Sequence, residues 1–330
     1  MALKKKVVLT GDRPTGKLHI GHYVGSLKNR LELQKTSEVY ILVPDLHAMT
    51  TNTDCSKLGT NVLDLMLDQL AVGLDPKRVT FFVQSQIPEV CELATIFSML
   101  VSKQTVERVP TLKDILRDLK IENPSMGLIN YPVLMAADIL LVKAEVVPVG
   151  MDQVSHVELA REIAHRFNSH FGHTFPMPEP LAVGTLSGID GKAKMSKSLN
   201  NCMYLSDSPA TIEEKVMSMY TDPMHVHAED PGRVEGNAVF EYLDAFDPDA
   251  EGLARLKADY AKGGVGDVRV KQRLLLVLIN LLGPIRERRE DLAKNPNEVM
   301  AILRDGTKKA RKIALATLEE VRRAMQINYF

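Results

Sequence analysis

An α/β fold built on a parallel sheet, with an all-α part behind it, is predicted by three observations. Short apolar runs alternate with longer helix-like ones from Val7 to Val183, the pattern of a doubly wound sheet wrapped by helices. The first run, Val7-Val8-Leu9, enters a turn rich in Gly, Pro and Thr, as a strand-to-helix crossing needs. After Ser208-Pro209, an N-cap followed by proline at the first helical position, only helical patterns follow.

The chain has 330 residues, enough for a large core or two domains. With 25% charged and 45% hydrophobic residues its composition is that of an ordinary globular protein. Cys55, Cys91 and Cys202 are far apart and form no Cys-x-x-Cys, which argues against a disulfide framework or a thiolate zinc site. Lys4-Lys5-Lys6 precedes only three apolar residues, too few for a signal-peptide core. No apolar run reaches membrane-spanning length. Cytoplasm is the expected address, and no membrane or DNA partner is expected. The net charge of −1 is unevenly spread: residues 266–330 hold 14 Lys and Arg against 8 Asp and Glu. A basic end on an acidic body fits a polyanionic partner, and equally a solvated helical surface.

In chain order, a helix is expected from Leu18 to about Gln34 and a buried strand over Val39–Val43, ending at Pro44-Asp45-Leu46-His47. A helix from about Ser56 to Val72 is stopped by Gly73 and Pro76. Val79–Val83 is a third strand, and Pro88 opens a helix to about Lys103. Residues 102–130 are polar and broken by Pro110 and Pro124, which reads as an inserted helical segment. The apolar helix Tyr131-Pro-Val-Leu-Met-Ala-Ala-Asp-Ile-Leu140 carries one carboxylate. Strand Val146–Val149 leads into Gly150-Met-Asp-Gln153 and a helix to about Phe167; Leu181–Val183 is the last strand. From there to the end, Lys308–Met325 shows a helical stripe of Ala310, Ile313, Ala314, Leu318, Val321 and Met325. An α/β part over residues 1–205 and a helical part over 206–330 are expected, the last helix packing back on the first part.

Two segments carry chemistry. The turn Thr10-Gly-Asp-Arg-Pro-Thr-Gly-Lys-Leu-His-Ile-Gly-His-Tyr23 opens a helix, whose first N–H groups and partial positive charge suit a phosphate. His19 and His22, three apart, share one face of its first turn. Alone, such a pair reads as a capped helix with two surface histidines. Far downstream, Gly184-Thr-Leu-Ser-Gly-Ile-Asp-Gly-Lys-Ala-Lys-Met-Ser-Lys-Ser198 adds glycines that permit movement and lysines that neutralise phosphate. Together the turn and Lys194–Ser198 resemble the paired signatures of class I aminoacyl-tRNA synthetases. Tyr131–Leu140 and Val147–Gln153 resemble the bacterial tryptophanyl branch of that family.

The resemblance implies a Rossmann-like catalytic domain, a helical tRNA anticodon- and stem-binding domain, and a homodimer with residues 90–130 at its interface. It implies that L-tryptophan attacks ATP to give an adenylate and pyrophosphate, and that the 3′ end of tRNA(Trp) then takes the aminoacyl group. Neither step needs a protein nucleophile; positioning and charge stabilisation suffice. By the same resemblance His19 and His22 assist the phosphorus centre and Lys194 and Lys197 hold the pyrophosphate. Arg13, Pro14, Thr15, Gly21, Gly150, Met151, Asp152, Met195, Ser196 and Ser198 complete the ATP site. Mg²⁺ arrives with ATP, with no protein cage of its own. The first signature departs from the commoner bacterial form, which has Gln at 13, Thr at 19 and Asn at 22, and so resembles a divergent subgroup.

In that family the aspartate matching Asp138 accepts the indole N–H. An indole has one donor and a large apolar body, so its pocket needs one acceptor among apolar walls, here Met135, Val147 and Val149. The plainer alternative for Asp138 is a carboxylate satisfied by a helix cap or an arginine, since an unpaired charge in so apolar a run is costly. Tyr131 and Gln153 would hold the α-amino group, and His47 matches a pocket position. A tyrosyl-type enzyme and a non-charging paralogue remain alternatives. His170, His173, His225 and His227 lack metal-ligand spacing and read as surface residues; Met217–Tyr220 and Met224 read as helix core.

Overall fold

The computed structural model describes residues 5–51 and 53–329; Lys4 of the basic triplet lies outside them. They form two compact units. One holds the chain up to Gly16, Lys28–Val183 and everything from Asn295 on; the other holds Lys17–Leu27 and Gly184–Lys294.

The first unit is an α/β layer structure. Its five strands are β1 (Val7–Gly11), β2 (Glu38–Val43), β3 (Val79–Val83), β4 (Val146–Val149) and β5 (Glu179–Ala182). All pairings are parallel, in the order β3-β2-β1-β4-β5. β2 reads as a continuous apolar run because helices cover both faces of a parallel sheet. That strand order reverses direction between β1 and β4, and there the ladder is thin: Val8 opposite Val146 is its register pair, against five pairs between β1 and β2. In such sheets the crevice at the reversal, beyond the carboxyl ends of the strands, is where ligands bind.

β3 is an edge strand, whose unpaired backbone groups need cover. The last long helix, Pro296–Ala324, supplies it. Its buried stripe is Val299, Leu303, Gly306, Ala310, Ala314, Leu318 and Val321; Ile313, expected in that stripe, is 39% exposed and lies outside it. Thr307 accepts the β3 N–H of Val83 at 3.2 Å through its Oγ1 and donates to Leu303 O at 2.7 Å. Arg311 and Arg322 pair with Glu89 and Glu92 on the helix Glu89–Ser98.

Residues 102–130 are helical, as expected of the inserted segment, but they are not wholly polar. They form short helices Lys103–Glu107 and Pro110–Asp118 and the start of Met126–Leu141, and Val106, Val109, Leu112 and Leu128 join the main apolar cluster. Their polar residues face out, which is what the sequence pattern registered.

The second unit is mostly helical, with Pro209–Ser218, Ala238–Phe246, Ala250–Lys262 and Asp267–Ala293. Between Met219 and Asn237 the chain is irregular, contrary to the helix expected throughout. Met219 is buried, but Tyr220 and Met224 are 40% and 79% exposed and are not core. His225 is buried and donates from Nδ1 to Asp267 Oδ1 at 3.2 Å, so it is not a surface residue. Among the described residues no helix is long and apolar enough to cross a membrane.

A Cβ at Gly306 would overlap the carbonyl oxygen of Phe81 on β3. Gly306→Ala raises helix propensity by about 1 kcal/mol, but overpacking against backbone costs roughly 1–3 kcal/mol or more. The expected result is a lower urea midpoint with an unchanged m value.

Candidate active site

The apolar helix Met126–Leu141 carries Asp138 into the core, where it is 4% exposed. A carboxylate there needs donors. His47 Nε2, from the short helix after β2, donates to Oδ2 at 3.0 Å, and Gln84 Nε2, just past β3, donates to the same oxygen at 2.7 Å. Burial pushes the Asp138 carboxyl above its usual range, and the His47 and Gln84 contacts oppose this. Gln84 also accepts the His47 N–H through Oε1 at 3.3 Å. Asp45 holds the same two loops together, accepting Ser85 N at 2.9 Å and Ser85 Oγ at 2.5 Å. The plainer reading of Asp138 is met in part: among the described residues its partners are a histidine and an amide, both on one oxygen, rather than an arginine or a helix cap.

Tyr131 lies two turns before Asp138, with the His47 ring edge-on at 6.2 Å. On its other side His156, on the helix Val154–Phe171, is fully buried. His156 Nε2 stands 3.2 Å from the Tyr131 hydroxyl and 2.7 Å from Thr111 Oγ1. Burial, and to a lesser extent His47, push His156 down to about 4, with Asp152 opposing. Val147 and Val149 are buried in the apolar cluster that includes Tyr131, and Met135 is half-buried against it.

Beyond β1 and β4 lie the loops at the sheet's reversal. The β1 end is pinned by Arg30, a fully buried guanidinium that donates to Thr10 Oγ1 at 2.9 and 3.1 Å, Asp12 Oδ2 at 2.5 Å and Gln69 Oε1 at 3.2 Å. Next to it Pro14 is buried while Arg13 and Thr15 are exposed, and Thr15 N donates to Arg13 O at 2.8 Å. After β4, Gly150 precedes a 3-10 turn of Met151–Gln153, Met151 and Asp152 are exposed, and Gln153 Nε2 donates to Asp152 Oδ2 at 2.9 Å. These side chains stand at the N-terminus of the helix Val154–Phe171, where backbone N–H groups favour an anion.

The second unit gathers the other two signatures. Residues 18–20 pair with 203–205: Ile20 N donates to Met203 O at 2.9 Å and Leu205 N to Leu18 O at 3.0 Å. This lays the histidine turn beside the segment that leaves the lysine loop. The His19 and His22 ring centroids lie 3.8 Å apart with the planes tilted by 51°, and His19 N donates to His22 Nδ1 at 3.3 Å. A Cβ at Gly21 would come 2.9 Å from His19 Nδ1 and 3.3 Å from Met195 Sδ, so glycine is needed here by the protein's own packing. The expected single helix is instead Ile20–His22, a π-helical turn Tyr23–Leu27 and the helix Lys28–Thr36. Such π turns recur at functional sites.

The lysine loop is folded rather than a free linker. Ser187 bridges Lys194, Gly188 N donates to Ala193 O at 2.7 Å and Met195 N to Leu186 O at 3.1 Å. Buried Asn201 accepts Ser196 N at 2.8 Å and donates to Asp190 Oδ1 at 3.2 Å. Ser196 and Ser198 hydroxyls are 2.8 Å apart. Met195 is buried, Lys194 exposed and Lys197 half-buried. Gln84, His156, Thr111, Arg30 and Asn201 escaped the sequence reading. Gln84 could have been found, since it follows a strand just as His47 does.

The strand order and the loops beyond it are those of the nucleotide-binding α/β proteins. The family model described as class I tRNA synthetases (W and Y) matches residues 2–283, and the chain belongs to that family. It is 49% identical to a tryptophan–tRNA ligase of Clostridium longisporum, covering 99% of both chains. It is 46% identical to one of Chlamydia caviae, covering 98% of this chain and 97% of that one. The fold is similar to the tryptophanyl-tRNA synthetase of Campylobacter jejuni solved with ADP and tryptophan: TM-score 0.85, 37% identity, 97% of this chain and 99% of that one.

The neutral His156 sets a pH dependence. Its folded pKa of about 4 lies below the unfolded 6.5. The unfolded chain therefore binds the extra proton between these values, and stability is lost as pH falls from 6.5 towards 4. For a shift of this size the loss is about 3 kcal/mol. In urea titrations across this range, His156→Gln is expected to flatten that part of the profile.

Proposed function

We propose that this class I synthetase is a tryptophan–tRNA ligase that forms tryptophanyl-adenylate and pyrophosphate from L-tryptophan and ATP, then passes tryptophan to the 3′ end of tRNA(Trp). The observation that carries the choice of amino acid is the buried carboxylate of Asp138, on an apolar helix beside the apolar cluster. Its hydrogen bonds from His47 and Gln84 both fall on Oδ2, and Oδ1 serves the indole N–H. Tyr131 and Gln153 bind the α-ammonium, and Met135, Val147, Val149 and His47 wall the ring.

The ATP is handled by Arg13, Pro14, Thr15 and Gly21 with the histidine turn, by Gly150, Met151 and Asp152 at the ribose, and by Lys194, Met195, Ser196, Lys197 and Ser198 at the phosphates. His19 and His22 act on the α-phosphate in place of the neutral side chains of the commoner form. Lys194 and Lys197 neutralise charge that develops as pyrophosphate leaves, the kind of stabilisation that contributes most to such a reaction. Mg²⁺ comes with the nucleotide.

The functional division at about residue 205 assigns catalysis to the earlier part and tRNA reading to 206–330. Within the latter, Arg304, Lys308, Lys309, Arg311 and Lys312 are all exposed on one helix with Asp305 as the acid among them, which suits phosphodiesters. The enzyme works as a homodimer in the cytoplasm. Exposed Met99 (76%), Leu119 (54%) and Met126 (75%), all within or beside residues 90–130, support an interface there.

Tryptophan-dependent pyrophosphate exchange tests the amino-acid assignment. Asp138→Ala is expected to lower kcat/KM for tryptophan roughly a hundredfold while ATP binding is kept; exchange driven better by tyrosine in the wild type would refute the assignment. Replacing Lys308, Lys309 and Lys312 by Gln is expected to raise the KM for tRNA and flatten its salt dependence by up to about 2 logarithmic units per decade, with exchange unaltered.

A further inference from the structure

We propose that His156 is a positioning residue for tryptophan: its Nε2 accepts a hydrogen bond from the Tyr131 hydroxyl and so turns the phenol oxygen's lone pairs towards the substrate's α-ammonium group. The inference rests on the reading of Tyr131 as the ammonium's partner.

An ammonium is donor-only, whereas a phenol can present either its O–H or its lone pairs. Only the second presentation binds the substrate. Something on the protein side must therefore accept the phenol hydrogen. His156 Nε2, at 3.2 Å, is that acceptor, its lone pair shared between the Tyr131 hydroxyl and the nearer Thr111 hydroxyl at 2.7 Å. A neutral imidazole has one acceptor nitrogen. With Nε2 accepting, the ring hydrogen sits on Nδ1, which is buried with no hydrogen-bond partner. That unpaired N–H costs this tautomer the desolvation of a buried donor, which the hydrogen bonds accepted at Nε2 offset; a residue kept for packing alone would be apolar.

The groups that face the ring keep it in the accepting state. It is fully buried, which pushes its pKa down to about 4; His47 adds to this and Asp152 opposes it. A protonated ring would donate from Nε2 to the phenol oxygen. The phenol hydrogen would then face the incoming ammonium, and a second positive charge would stand behind it. The pair thus separates two tasks in one pocket: Asp138 accepts the indole N–H, and Tyr131, oriented by His156, accepts from the ammonium.

The test compares tryptophan with indole-3-propionate, which keeps the ring and carboxylate and lacks the amine. In pyrophosphate exchange, His156→Leu is expected to raise the KM for tryptophan about tenfold with a smaller change in kcat. The inhibition constant of indole-3-propionate should stay within about twofold. His156→Gln, whose amide oxygen can accept the same hydrogen, should recover most of the loss. If His156→Leu does not fold, His156→Asn, polar but too short to reach the phenol, takes its place. Equal weakening of both compounds would mean that His156 only shapes the pocket, and an unchanged KM would mean it does nothing here; either overturns the inference. Tyr131→Phe separates the two levels. If it leaves the KM for tryptophan unchanged, the reading of Tyr131 itself fails; if it raises that KM while the His156 variants do not, only the role of His156 fails.

Discussion

The cost of holding a carboxylate in an apolar interior governs the arrangement around Asp138. Such a group must be supplied with donors where no water competes. The fold supplies them from two different strand ends, His47 after β2 and Gln84 after β3. Those loops are in turn held by Asp45 on Ser85 and by Gln84 on the His47 backbone. One buried charge thus ties three elements that are distant in the chain. It also leaves a polar spot of fixed position among Val147, Val149 and Tyr131, which is what a pocket for a large ring with a single donor requires.

The sheet determines where that spot lies. With β1 central and the order reversing between β1 and β4, the loops after both strands open on one side, and the thin ladder between them marks the crevice. Arg30 fixes the β1 end by saturating Thr10, Asp12 and Gln69 at once, a role suited to a planar fork of five donors. In the other unit a short antiparallel contact between residues 18–20 and 203–205 joins signatures far apart in sequence, and Gly21 lets His19 and Met195 close over it.

Much of this was legible because periodicity and punctuation are local. Val79–Val83 and Val146–Val149 were read to the residue, and the other strands to within a few positions, since short apolar runs between turn residues have few other uses. Where the reading failed, a partner distant in sequence decided the outcome. Met224 looks like core and is exposed because the chain from Met219 to Asn237 is not helical. His225 looks like a surface residue and is buried because Asp267 offers its carboxylate and Tyr260 its ring at 4.4 Å. The polar look of residues 102–130 hid Val106 and Leu112, whose burial depends on a helix that comes later in the chain.

The sequence by itself determined the alternation of strands and helices, the two signature segments and the lone acid in an apolar helix, because each is written within a span of neighbouring residues. Only the tertiary structure decided which donors meet that acid, that a buried arginine braces the first turn, and that a neutral histidine stands behind Tyr131. Those pairings join positions up to 91 residues apart, as between His47 and Asp138, and the spacing of residues along a chain carries no record of which distant side chains will face each other once it is folded.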